Sequence, residues 1–286
     1  MKPLAVIGKF YNEIALVTQF VAHYTRQVGA ENCYLIDHGS DDGSQLATGG
    51  ANVIRLLRSA QDDNRHLALI RLLARELLTR YRYVLHVDMD EFVVADPAHH
   101  ANLTAYAATC RHDVVSMIGL ELQHVPDLEP PLDPGLPVLA QRRHVWFDSA
   151  MCKPTLTNRR LDWSPGFHCM QDAAPFDDLY LFHLRYADRD IGLARLRRSR
   201  AQPWSHPDQA RHQRMEDEEW LALLAGFGAV ARIGETAAER QSPVVAAHLD
   251  RVMASRAGRE RQDYRIDLGI HSDQLWRVPD RFAAVF

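Results

Sequence analysis

The sequence predicts an α/β fold in which a mostly parallel sheet is flanked by helices and followed by an α-helical C-terminal region. Between residues 4 and 87, short apolar runs alternate with longer segments whose apolar residues have helical spacing. That alternation is typical of strand-helix-strand units in a Rossmann-like parallel sheet. From residue 188 onward the spacing is helical and rich in arginine. We therefore expect a main domain over residues 1–187 and a helical region over 188–286.

The N-terminal part supplies the elements of the predicted parallel sheet. Residues 4–7 form an apolar run that predicts a buried strand, and apolar residues at helical spacing follow over 14–28. Gly29 stands where that helix should end, because glycine is common just after a helix C-terminus. The next elements follow in the same order, with strands at 33–36, 53–57 and 83–87 and a helix at 63–79.

The rest of the chain is less regular. A helix is predicted at 102–109 and a strand at 114–118, and five prolines in 124–140 then indicate a long surface loop. We expect this loop and the C-terminal region to form the pocket walls. Further strands are predicted near 145–147, 153–156 and 179–183, and helices near 188–200, 208–225 and 243–257.

Acidic residues follow two of the predicted strands. Asp37 ends the second strand, and Asp88, Asp90 and Glu91 follow the fourth in the stretch HVDMDEFVV. Because ligands of such sheets bind at the carboxyl ends of the strands, these residues should share one crevice.

The Asp88-Met-Asp90 pair suits a divalent metal. Carboxylates two residues apart on an extended chain point the same way, and hard oxygen donors are the ligands that Mg²⁺ and Mn²⁺ prefer. A cation would also remove the repulsion between the acids. The alternative is a solvated acidic turn, but the apolar residues that continue after Glu91 disfavour it.

The loop DHGSDDGS, residues 37–44, is a weaker signal. Asp37 at a strand end can accept a hydrogen bond from a nucleobase or a ribose hydroxyl, and Gly39 and Gly43 allow close backbone approach. The same dipeptides mark ordinary turns, so this loop alone does not indicate a ligand.

Four basic residues lie farther along the chain. His183 on a predicted strand is followed by Arg185, while Lys153 and His168 are possible phosphate or acceptor contacts. Each has an ordinary alternative, because histidine on a strand is usually structural and lysine is often a solvated charge.

Taken together, the motifs resemble family 2 glycosyltransferases with the GT-A fold. Tyr11-Asn12-Glu13 follows the first strand, residues 36–44 follow the second, and Asp88 to Phe92 form a D-x-D-E-F sequence after the fourth. A lysine strand, a G-F-H segment and a later L-x-H-x-R complete a pattern similar to the family 2 and family 92 branch with many bacterial surface-polysaccharide enzymes. The resemblance covers residues 4 to about 186.

This resemblance implies the roles of individual residues. Tyr11, Asn12, Glu13, Asp37, Asp88, Lys153, His168 and Arg185 are expected to bind the nucleotide sugar, with Asp37 near the base. Asp88, Asp90 and His183 are expected to hold Mn²⁺ or Mg²⁺. His38 departs from the family pattern, in which many members carry a second Asp, so the nucleobase stays open.

The implied activity is an inverting sugar transfer from a nucleotide-diphosphate donor, with UDP-sugars favoured, to a hydroxyl of a glycan or glycolipid. Inversion needs a carboxylate base, for which Glu121 is the first choice, Asp148 the second and Asp172 the third. The alternatives are a phosphatase of the haloacid-dehalogenase type, which normally has its D-x-D after the first strand, and a sugar-nucleotide-binding module without turnover.

Composition narrows the partners and the location. A net charge of −4 and the lack of a nucleic-acid-binding signature disfavour nucleic acid. Four scattered cysteines and the absence of a membrane-spanning apolar run favour a cytoplasmic protein. The arginines of 189–200 could bind an anionic membrane from the inner face, but a solvated helix paired with nearby acids is the favoured interpretation.

Overall fold

A computed structural model describes residues 1–170, 174–230, 233–255 and 264–286, without the side chains of 169–170, 227–230, 233–235 and 264–265. Its strands are β1 Lys2–Phe10, β2 Cys33–Asp37, β3 Asn52–Arg55, β4 Tyr81–His86, β5 Glu91–Ala95, β6 Val114–Gln123, β7 His144–Phe147, β8 Leu156–Thr157, β9 Cys169–Met170, β10 Phe176–Tyr186, β11 Ile233–Ala237, β12 Tyr264–Arg265 and β13 Leu275–Arg277. Its helices are α1 Ile14–Val28, α2 Asp63–Leu77, α3 Leu103–Thr109, α4 Val138–Gln141, α5 Arg189–Ala201, α6 Asp217–Val230 and α7 Pro243–Ala254.

One mixed sheet of eleven strands organises the molecule. Its parallel part has the order β3-β2-β1-β4, with Val6 opposite Cys33 and Ile7 opposite His86. Antiparallel pairs on β8 then connect β4 to β6, and β10 pairs in parallel with β6 and antiparallel with β5. The predicted α/β, Rossmann-like class with a mostly parallel sheet is confirmed.

Local sequence signals explain where the helices begin and end. The Asp62 carboxylate accepts hydrogen bonds from the amides of Asn64 and Arg65 and so begins α2, while Asp188 caps α5 in the same way. Gly29 ends α1 with a φ of 89°, a conformation that favours glycine. Helices α1 and α3 pack against each other and against β1, whereas α2 packs against β4.

A single main core extends into the C-terminal region. Buried side chains of α7 and of the chain end, including Val245, Leu249, Trp276 and Phe286, belong to the same cluster as β1 and β6. In addition, β13 pairs with β7 and β11 pairs with β13, so residues 188–286 contain strands of the main sheet as well as helices. These strands are too short to give a clear alternation in the sequence.

Among the described residues, a separate small cluster is formed by α5, α6 and the end of β10, and it is made of Tyr186, Leu196, Trp220 and Leu224. The indole of Trp220 stacks on Tyr186, with ring centroids 6.0 Å apart. A Cβ at Gly192 would lie 2.4 Å from the Trp220 ring, so the absence of a side chain there lets α5 approach α6. In the part of the chain that the structure describes, no helix is long and apolar enough to cross a membrane.

Candidate active site

A cavity of about 570 Å³ opens at the carboxyl ends of β1 and β4. Its wall includes ten of the residues predicted for the site: Tyr11, Glu13, Asp88, Asp90, Glu121, Asp148, Lys153, His168, His183 and Arg185. Side chains from α2 and α5 complete the wall. The proline-rich loop at 124–140 is not part of it, contrary to our expectation.

Strand register brings three charged side chains of the site together. Glu91 begins β5 and lies opposite His183 of β10, and His183 lies opposite Glu121 of β6. Neighbouring positions on adjacent strands have side chains within contact distance. Because β10 pairs on both sides, His183 lies between Glu91 and Glu121, and Asp90 directly precedes Glu91.

His183 bridges two carboxylates. Its Nε2 donates to Asp90 Oδ2 and its Nδ1 donates to Glu121 Oε1, each at 2.8 Å. Burial alone would lower its pKa, but Glu121 and Asp90 raise the pKa of His183 to about 10. The ring is thus a cation at neutral pH, and both of its nitrogens are engaged as donors.

Asp90 has a second cationic partner, Arg195 of α5, whose guanidinium donates to the same Oδ2. Burial would raise the pKa of Asp90, but Arg195 and His183 hold it well below its usual range. Arg195 also lies 3.4 Å from Glu13 Oε2, and Arg198 lies 2.9 Å from Glu13 Oε1. Arg195 therefore joins Glu13, which follows β1, to Asp90 of the D-x-D motif, and Arg198 from the same helix adds a second contact to Glu13.

Lys153 pairs with the other two acids of the cluster, Asp88 and Glu91. Its Nζ donates to Asp88 Oδ2 at 3.1 Å and to Glu91 Oε1. Desolvation would raise the pKa of Asp88, but Lys153 and His86 lower it to about 2. Asp88 and Asp90 are both ionised at neutral pH, and the cluster of acids after β4 is held in place by Lys153, His183 and Arg195.

Asp148, directly after β7, also lies in the cavity wall, close to Gly119. Gly119 of β6 allows this, because a Cβ there would lie 2.4 Å from the backbone of Met151 and push the 149–151 turn away. The Asp148 Oδ1 accepts from the Ala150 amide at 2.8 Å. Burial and the nearby Glu121 raise the pKa of Asp148 to about 6.

The remaining predicted residues differ in position. His168 donates to the Ala150 carbonyl at 2.9 Å and Arg185 to the His212 carbonyl at 2.5 Å, both in the cavity wall. Asp37 and Asn12 do not line the cavity. Asp37 is fully buried, accepting from the Ser40 amide at 2.8 Å and from Arg55 at 2.7 Å. Asp172 lies outside the described residues.

The donor types of the site fit a hard divalent cation, because two ionised carboxylates line one cavity and half of the Asp88 side chain is exposed. Among the described residues, however, no group of three or more His, Cys, Asp or Glu is arranged to hold a metal. Both aspartates are paired with protein cations instead. Asp88 and Asp90 as ligands stay a prediction, as does His183, which would first have to lose a proton.

Several lining residues were not predicted. Lys9 Nζ donates to His66 Nδ1 at 2.7 Å, and burial lowers the pKa of Lys9 to about 8. Arg195 and Arg198 enter the cavity, whereas Arg197 and Arg200 pair with Asp217. The favoured interpretation of 189–200 was a solvated helix paired with nearby acids; Arg195 and Arg198 do pair with acids, but they line the cavity and are only about a quarter exposed. Their i, i+3 spacing was the available signal, but nothing in the sequence showed which face meets the cavity.

Comparisons with known proteins give distant similarities. No family model matches the chain, and no curated protein does. A mannosyltransferase from Pyrobaculum calidifontis, solved in complex with GDP-Man and Mn²⁺, is 13% identical with a TM-score of 0.36, covering 88% of this chain and 80% of its own. A mannose-1-phosphate geranyltransferase from Thermus thermophilus is 11% identical with a TM-score of 0.29, covering 79% and 68%. A mycobacterial protein is 16% identical with a TM-score of 0.25, covering 44% of each chain. At TM-scores this low, these similarities assign no function.

Proposed function

We propose that this protein is a metal-dependent, inverting glycosyltransferase of the GT-A type that moves a sugar from a nucleotide-diphosphate donor to a hydroxyl acceptor. The observation that carries the proposal is the Asp88-Met-Asp90 turn at the end of a parallel strand, ionised and facing a cavity. Open α/β sheets bind their ligands at this end. The resemblance of the motifs to family 2 and family 92 enzymes supports the same activity, with a UDP-sugar as the favoured donor.

The charges of the cavity suit a diphosphate. Lys9, Lys153, Arg195 and Arg198 line it together with the acidic motif. Asp88 and Asp90 would hold Mn²⁺ or Mg²⁺, which stabilises the negative charge on a departing diphosphate. The cationic side chains add charge-assisted contacts to phosphate oxygens.

Asp148 is a better candidate for the general base than Glu121. The Glu121 carboxylate is already paired with the cationic His183, which reduces its tendency to take a proton. The pKa of Asp148, raised to about 6, is close to that of an effective base at neutral pH. Asp148 would therefore accept the proton of the acceptor hydroxyl as the new glycosidic bond forms.

The acceptor side follows from the resemblance. A hydroxyl of a glycan or glycolipid in bacterial surface-polysaccharide synthesis would place the enzyme in the cytoplasm or at the inner face of the cell membrane. Contact with a membrane through 189–200 is disfavoured, because Arg195 and Arg198 face the cavity and Arg197 and Arg200 pair with Asp217.

Calorimetric titration of UDP, GDP and CMP, with and without Mn²⁺, tests the proposal. We expect one nucleotide to bind in a metal-dependent manner and a sugar donor with that base to give a glycosylated product. Binding without turnover of any donor would favour the binding module, and phosphate release from simple phosphomonoesters would favour the phosphatase. Absence of nucleotide binding by the folded protein would contradict the proposal.

A further inference from the structure

Two arginines of α5 connect the helix to both acidic motifs of the cavity. Residues three apart on a helix lie on the same face, and Arg195 and Arg198 are related in this way. Arg195 contacts Asp90 and Glu13, while Arg198 contacts Glu13 and donates to the Asn12 carbonyl at 3.0 Å. About a quarter of each arginine side chain remains exposed, 27% and 26%.

Helix α5, which carries both arginines, is held in place by contacts on its other faces. Leu196 packs in the small cluster with Trp220, and Gly192 lets α5 lie directly against the Trp220 ring. Arg197 and Arg200 hold the adjacent face through Asp217. The backbone of α5 therefore stays in place if Arg195 and Arg198 change partners, and only their side chains need to rotate.

The two acids that pair with these arginines, Asp90 and Glu13, differ in whether they have another cationic partner. Asp90 retains the charge of His183 if Arg195 leaves. Glu13, by contrast, is paired with Arg195 and Arg198 together. Guanidinium groups bind phosphate oxygens in a bidentate geometry, so a diphosphate in the cavity competes directly with the carboxylates for them.

We propose that Arg195 and Arg198 are the diphosphate-binding residues of the cavity, and that they pair with Glu13 and Asp90 until a diphosphate displaces these carboxylates. The inference rests on the proposed function, for which it names the residues that recognise the diphosphate. Glu13 then acts as a competitor that sets affinity, and the release of Asp90 from Arg195 is coupled to diphosphate binding.

Titration of inorganic pyrophosphate into the metal-free protein, in low-salt buffer with a chelator, isolates this step. Arg195→Gln and Arg198→Gln should each weaken binding by about tenfold or more, since each removes a charged hydrogen-bond donor. Arg195→Lys should lie between Arg195→Gln and the wild type. The matched control is Arg197→Gln, on the same helix but paired with Asp217, which should stay within about twofold of wild type.

Glu13→Gln gives the opposite sign and is the sharper test. It removes the acid that pairs with both arginines, although Arg195 keeps its contact with Asp90, and it removes a negative charge from the cavity. Pyrophosphate should therefore bind roughly fivefold more tightly. Weaker or unchanged binding in Glu13→Gln overturns the competition. Thermal unfolding of each variant shows whether an altered affinity reflects an altered fold.

The outcomes separate the inference from the proposed function. Metal-dependent nucleotide binding and sugar transfer that are insensitive to Arg195→Gln and Arg198→Gln would overturn the inference and leave the glycosyltransferase in place. Arginine-dependent pyrophosphate binding without nucleotide preference or turnover would support the inference and count against the transferase. If wild-type protein binds no pyrophosphate at millimolar concentration, the inference is wrong.

Discussion

The two acidic strand ends of this sheet look alike in the sequence and differ in the structure. Asp37, the last residue of β2, accepts hydrogen bonds from nearby residues: from the Ser40 amide three residues away and from Arg55 eighteen residues away. The acids after β4 take their partners from far along the chain. Lys153 is 62 residues from Glu91, His183 is 93 residues from Asp90, and Arg195 is 105 residues from Asp90.

The difference separates an acid that its own loop satisfies from acids that line a cavity. Local donors can satisfy a carboxylate within a turn, where it is buried and serves to fix the loop. The donors His183, Arg195 and Lys153 come close to the acids at the end of β4 only in the folded molecule. They do so beside an open cavity. Charges assembled in this way remain available to a ligand that offers better partners.

Asp90→Asn should have the largest effect on function. It removes one carboxylate of the D-x-D pair and a counter-charge of His183 and Arg195, and we expect turnover to fall by about 10³-fold. Product formation with the preferred donor measures it. Asp41→Asn, an isosteric change in the exposed part of the 37–44 loop, serves as the control, and an equal loss there would remove the distinction between the two strand ends.

Asp148→Asn should lower turnover by about 10²-fold, the range expected for loss of a general base. Because the pKa of Asp148 is about 6, wild-type activity should rise with pH as the carboxyl loses its proton near pH 6. The residual activity of the variant should lack this rise. Asp113→Asn, next to the opposite end of β6, is the control. A variant that keeps the pH 6 transition would show that another group is the base.

His183→Gln should lower stability in a pH-dependent way. The folded-state pKa of about 10 exceeds the ordinary 6.5, so the ring contributes stability that is fully present below pH 6.5 and is lost as pH rises towards 10. Denaturant unfolding in metal-free buffer should show a deficit of roughly 3 kcal/mol at pH 6 that shrinks by pH 10. The exposed His206→Gln should show no such trend. A deficit independent of pH would mean that His183 is neutral in the folded protein.

Asp37→Asn should affect stability more than binding. The carboxylate is fully buried, but its partner Arg55 is 53% exposed, so the expected loss is about 2 kcal/mol, below that of a fully buried pair. Urea unfolding measures the loss, and nucleotide affinity should stay within about twofold. A large loss of affinity with unchanged stability would restore Asp37 as a nucleobase contact.

The sequence predicted the parallel sheet and the strand end at which the cavity opens because both have local signatures. Apolar runs located β1, β2 and β4, and the acids at 88–91 marked the strand end where the cavity opens. The arginines of α5 were misjudged because their role depends on which helix face meets Asp90 and Glu13, a tertiary contact without a local pattern.

The short strands β11 and β13 were missed for a related reason. With five and three residues, they owe their strand conformation to pairing, β13 with β7 and β11 with β13, more than to their own propensity. Asp37 shows the converse limit, because a strand-end acid gives the same sequence signal whether a ligand or a neighbouring arginine occupies it.

The most direct test of the account compares Asp90→Asn and Asp37→Asn in one experiment, with nucleotide affinity in the presence of Mn²⁺ and the free energy of unfolding measured on both proteins. The account predicts that Asp90→Asn loses metal-dependent nucleotide binding, while Asp37→Asn binds as the wild type does and unfolds more easily. Retained binding in Asp90→Asn together with lost binding in Asp37→Asn would contradict it and move the donor site to the β2 end of the sheet.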